Sequence, residues 1–141
     1  YGIWSETSAS EHNSTWDFGA SVEADKLDRL FDLIVREIRR IQEGDISDAE
    51  IESAKQYALG RHQMGIQTVG QLNNWLANRY FFDGRIEDFA AQPDRINAVT
   101  KERIIATAQE FFTVNCWGLG IYGNTEKAVA ERLNEKLSKL F

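Results

Sequence analysis

The order of hydrophobic patterns predicts an α+β fold in two layers, an antiparallel sheet covered on one face by helices. Three observations lead there. Trp16, Phe18, Ala20 and Val22 alternate with Asp17, Gly19 and Ser21, the period of a strand with one apolar face. Between Asp25 and Gly65 the apolar residues recur instead at steps of three and four, the period of a helix. A second alternating stretch returns near the end of the chain, at 114–122. Strands at the two ends can then meet in one sheet, with the intervening helices packed on its apolar face.

Taken in order, Tyr1 to Ser8 reads as a strand, Ala9 to Ser14 as a polar turn, and Trp16 to Val22 as the strand that closes an antiparallel hairpin. Leu27, Leu30, Phe31, Ile34, Ile38 and Ile41 form one helical stripe, and Arg29, Asp32, Arg36, Arg39 and Arg40 fall mostly on the other side. Gly44 suits the position just past the helix end, because it accepts the left-handed conformation without a Cβ clash. Ser47-Asp48-Ala49-Glu50 carries the pattern of a capping box, in which the serine hydroxyl and the glutamate carboxylate each satisfy a backbone N–H. Thr68 and Gln71 repeat that pattern ahead of Leu72, Trp75, Leu76, Arg79 and Tyr80, and this helix runs to Gly84. Short helical pieces broken by Pro93 are expected over 85–98. Thr100 caps a helix whose stripe is Ile104, Ile105, Ala108 and Phe112. Val114 to Tyr122 reads as a third strand, with Trp117, Leu119 and Ile121 facing one way and Cys116, Gly118 and Gly120 the other. Asn124 or Thr125 opens a last helix, with Ala128, Leu133, Leu137 and Leu140 as its apolar side.

The 141 residues, 43% of them hydrophobic, suffice for a single domain with a core, read as 1–141. A formal net charge of −6 argues against nucleic acid and anionic membranes as partners. Arg36, Arg39 and Arg40 form a local basic cluster, read as a solvated helix face paired with Glu37 and Glu43. Cys116 is the single cysteine, so no intrachain disulfide can form and the compartment stays open. No apolar run is long enough to insert across a bilayer. The sequence begins at Tyr1 in strand-like sequence, and is read as a piece of a longer polypeptide that lacks an N-terminal part of its domain.

Chemistry-bearing residues are sparse. His12 and His62 are the only histidines. Two histidines sharing a zinc ion from one helix need to lie a turn apart, as in His-x-x-Glu-His, where the glutamate serves as base. His62 is followed by Gln63, Met64, Gly65 and Ile66, so that site is not here. Cys116 sits mid-strand, where an inert thiol is the usual state. Gly118, Gly120 and Gly123 lack the spacing of a phosphate loop. Glu50, Glu52, Glu87 and Asp88 read as helix-start carboxylates facing the helix dipole. The residues alone therefore give a stable α+β domain with no self-contained active site.

Several stretches nevertheless resemble, in the right order, the second, non-zinc domain of the insulinase/pitrilysin zinc metallopeptidases (metallopeptidase family sixteen), which include the mitochondrial processing peptidase. Tyr1-Gly-Ile-Trp-Ser is similar to the family's Tyr-Gly-Ala-Tyr-Ser strand. The Phe18-Gly-Ala-Ser-Val strand follows it. After the long helix, Gly44-Asp-Ile-Ser-Asp-Ala-Glu-Ile-Glu-Ser-Ala-Lys is close to Ile-Thr-x-Glu-Glu-Leu-x-x-Ala-Lys. Ala98-Val-Thr-Lys-Glu-Arg-Ile and the strand ending Ile121-Tyr-Gly complete the likeness.

The resemblance implies the LuxS/processing-peptidase-like metallohydrolase fold and a bilobal arrangement. A homologous domain or subunit carrying His-x-x-Glu-His holds zinc, and the domain seen here closes over it around unfolded peptide, within one chain or as a homo- or heterodimer. It also implies that Tyr1 is the tyrosine of an Arg–Tyr pair that touches substrate, its arginine lying upstream. Within this chain no catalytic residue, no metal ligand and no cofactor is expected, and alone it should bind no zinc and cut no peptide. A different class is a structural relative, akin to the respiratory-complex core proteins, that serves assembly without proteolysis. An unrelated helical adaptor is the third reading.

Overall fold

Two strands and six α-helices build the described part of the chain in the computed structural model, which covers residues 2–9, 12–86, 88–112, 117–124 and 126–139. The class is α+β, as the patterns predict. Strands β1 (Ile3–Ala9) and β2 (Ser14–Ala20) pair as an antiparallel hairpin. Helices follow as α1 (Leu27–Glu43), α2 (Asp48–Gly65), α3 (Val69–Asp83), α4 (Gln92–Asn97), α5 (Lys101–Phe111) and α6 (Lys127–Ser138). The chain divides into two compact units, one of Tyr1–Trp4, Gly19–Ile46 and Thr100–Phe141, the other of Ser5–Phe18 and Ser47–Val99.

The hairpin register follows from its base, where the Ser21 N–H donates to the Gly2 carbonyl at 2.9 Å. Counting inward, Trp4 faces Gly19, and directly opposed residues share a face of the sheet. The Trp4 ring occupies the very volume that a Cβ on Gly19 would need. An aromatic ring laid over a cross-strand glycine covers backbone that would otherwise be bare. On the opposite face the Trp16 indole N–H donates to the Ser5 hydroxyl at 2.7 Å, and the Trp16 and Phe18 rings lie 4.8 Å apart. Burial rises only toward the base: Gly19 and Ala20 are half-buried, whereas Trp16 and Phe18 are 38% and 43% exposed.

In the first unit, α5 and α6 pack on α1. The predicted stripe of α1 is buried or half-buried at every position, with Phe31 and Ile38 the most enclosed. Ala108 of α5 and Leu133 of α6 complete this core, and Leu133 is fully inaccessible to solvent. Gly44 ends α1 with φ 77°, and its N–H returns to the Ile41 carbonyl at 3.1 Å. A Cβ there would stand 2.9 Å from the Ile105 side chain. Two side chains of α5 reach this end of α1: Gln109 donates to the Gln42 carbonyl of the last turn at 2.8 Å, and Lys101 donates to the Ile46 carbonyl of the loop that follows at 2.6 Å. Carbonyls in a last helical turn have no partner within the helix, so such donors matter.

Helix α6 begins later than the sequence suggests. Its N-cap is Glu126 and its first residue is Lys127, so Asn124 does not open it, and Thr125 lies outside the described residues. Ala128 is exposed, while Val129, Ala130 and Leu137 are half-buried around Leu133. Five residues advance a helix by about 140° beyond a full turn, which takes Ala128 off the stripe that Leu133 defines. Leu140 lies outside the described residues.

The third strand is a correction. Of the predicted span, residues 113–116 lie outside the described residues, and Trp117 to Tyr122 carry no strand. Burial still alternates there, with Trp117, Leu119 and Ile121 half-buried and Gly118, Gly120 and Tyr122 exposed. Period-two burial shows that alternate side chains are covered, and no more. A strand additionally requires a ladder of backbone hydrogen bonds to a neighbour, and side-chain alternation cannot supply one.

The second unit contains α2, α3 and α4, with α4 packed on α2. Both capping boxes form as predicted. The Glu50 N–H donates to the Ser47 hydroxyl at 3.2 Å, and the Ser47 N–H donates to the Glu50 carboxylate at 2.8 Å. Thr68 and Gln71 make the same reciprocal pair at 3.2 and 3.0 Å. Ile51 is the most buried residue of α2, and Lys55 donates to the Asn97 carbonyl of α4 at 3.1 Å. Pro93 does not break a helix; it stands in the first turn of α4, where its missing N–H would be unpaired in any case.

Candidate functional site

The one substrate-touching residue expected, Tyr1, lies outside the described residues, as does Cys116. His12 is exposed in the turn of the hairpin. His62 is half-buried on α2 and stacks on Phe89, ring centres 3.9 Å apart and planes 26° from parallel. Trp75 of α3 meets the same Phe89 edge-on at 5.3 Å, and the Arg79 guanidinium lies 5.8 Å from the Trp75 ring. His62 is thus one ring of an aromatic cluster within the second unit. A ring stacked on a phenyl face is held by packing, and a metal ligand would need other ligands convergent on its nitrogen. Among the described residues no three His, Cys, Asp or Glu side chains converge so as to hold a metal ion.

Beside this cluster a groove of about 500 Å³ runs along α3, bordered by Ile66, Asn74, Trp75, Asn78 and Phe82. Leu72, Trp75 and Leu76 of the same helix are half-buried. Arg79 and Tyr80 continue the helical spacing as expected, and both are exposed.

Charge is concentrated on α1, and its partners explain it. Arg36 and Arg40 both pair with Glu37, at 2.9 and 2.7 Å, and Arg40 also reaches Asp45 at 3.2 Å. The hydrogen bonds from Arg36, then those from Arg40, hold the Glu37 carboxyl below its ordinary value. Arg39 donates to the Lys139 carbonyl. The basic cluster is a paired helix face, with Asp45 serving where Glu43 was expected. Nearer the start of α1, Arg132 of α6 forks onto the two Asp28 oxygens at 3.0 and 2.7 Å. Lys136 bonds to Asp32 at 2.7 Å and lies 3.2 Å from the Asp28 carboxylate. The Arg132 fork lowers the Asp28 pKa, and the pairing with Asp32 raises that of Lys136. These shifts belong to ion pairs between packed helices and not to a reacting centre. Glu50 serves its cap, and Asp88 accepts from the Ala90 N–H at 2.9 Å; Glu87 lies outside the described residues.

Residues 1–57 match the family model described as the Peptidase M16 inactive domain. The matched span holds the hairpin, α1, Gly44, the Ser47–Glu50 capping box and the first half of α2. The likeness is to an inactive domain of that peptidase family and covers the first 57 of the 141 residues. Residues 58–141 lie beyond the match. No curated protein and no solved structure matches the chain. Among the described residues no helix is long and apolar enough to cross a membrane.

Proposed function

We propose that this chain is the substrate-closing, non-catalytic domain of a zinc-dependent endopeptidase that degrades or processes unfolded peptides. The observation that carries the reading is the match of residues 1–57 to a peptidase inactive domain. The described residues of this chain do not fit zinc, since His62 is packed on Phe89 and no ligand group surrounds it. In this reading metal, general base and attacking water belong to the partner lobe, the one with His-x-x-Glu-His. This chain contributes a wall facing that lobe.

Tyr1 is the residue of this wall proposed to touch substrate. A phenol O–H beside the scissile carbonyl donates to its oxygen, where negative charge gathers as the carbonyl is attacked. Removing one such donor costs about a hundredfold in kcat. The test is hydrolysis of an unstructured peptide by the full-length protein with its partner lobe. Activity that is lost to a chelator and restored by zinc is expected, together with a fall of about a hundredfold in kcat for Tyr1→Phe. Unchanged kcat in Tyr1→Phe removes Tyr1 from the mechanism. No zinc-dependent hydrolysis at all overturns the peptidase reading and leaves an assembly role.

A further inference from the structure

We draw no further inference here: the strongest candidate, the groove along α3 bordered by Asn74, Trp75, Asn78 and Phe82, is an open helix face, and nothing in the structure shows what covers it.

Discussion

Gly44 shows how one residue can be demanded twice. Its φ of 77° lies in the left-handed region, and the Ile105 side chain stands 2.9 Å from where a Cβ would be. The left-handed conformation alone costs a residue with a Cβ roughly 1–2 kcal/mol. Gly44→Ala should therefore destabilise the protein by at least about 1 kcal/mol, read as a lower denaturation midpoint in urea. An unchanged midpoint would show that the α1 terminus relaxes freely. This position was legible in the sequence because a glycine after an apolar helical stripe has a single physical explanation. The caps at Ser47, Thr68 and Thr100 were legible for the same reason, as hydroxyls placed three residues ahead of the N–H they accept from. Histidine chemistry was legible only in the negative: the spacing denied a zinc motif, but nothing in Arg61-His62-Gln63 foretold that the ring would meet Phe89. That contact depends on how a later segment folds back.

At the scale of elements, α1 and α6 are joined by two kinds of force, and they can be separated by experiment. Leu133 is wholly buried, and truncating a buried leucine removes transfer energy and leaves a cavity. Leu133→Ala should cost about 2–5 kcal/mol, seen as a lower thermal midpoint at any pH where the protein is folded. The ion pairs behave differently. The Asp28 carboxyl is held down by Arg132, so its contribution is present above its unfolded value and is lost as pH falls through the native value. Arg132 and Lys136 are held up, so their contributions are complete below their unfolded values and vanish only as pH rises through the raised ones. Asp28→Asn should lower the thermal midpoint at neutral pH, and the gap from wild type should close below the ordinary carboxylate range. A gap of constant size across that range would mean that the carboxylate's charge plays no part in holding α6. Arg132, Asp28 and Asp32 are well exposed to solvent and only Lys136 is largely covered, and solvent-screened pairs are weak, so the leucine dominates. The Asp28–Arg132 fork was not legible in the pattern of residues, because 104 positions separate its ends. Periodicity orders residues around one helix and is blind to which helix lies opposite.

For the molecule as a whole, the class is α+β as expected, while among the described residues the sheet has two strands and not three. Alternation at 117–122 reports which side chains are covered, and that part of the expectation survives in their burial. Membership of a sheet is a property of two segments, so one segment's pattern cannot decide it. The consequence is a hairpin whose strands have only each other, among the described residues, for backbone pairing. A two-stranded sheet is marginal in water without further strands or a helix against it, and Ile3, Trp4, Trp16 and Phe18 remain between 38% and 77% exposed. Hydrogen exchange should therefore be fast for the amides of β1 and β2 and slow for the middle of α1, measured on the same sample. Equal protection in the two would mean that the hairpin is secured by something beyond its own ladder.

The tryptophan laid over Gly19 also bears on how such a chain can change over generations. A side chain at position 19 is admitted only if the indole at position 4 turns aside, which strips the ring's cover from the strand. Change at one of the two sites is therefore felt at the other.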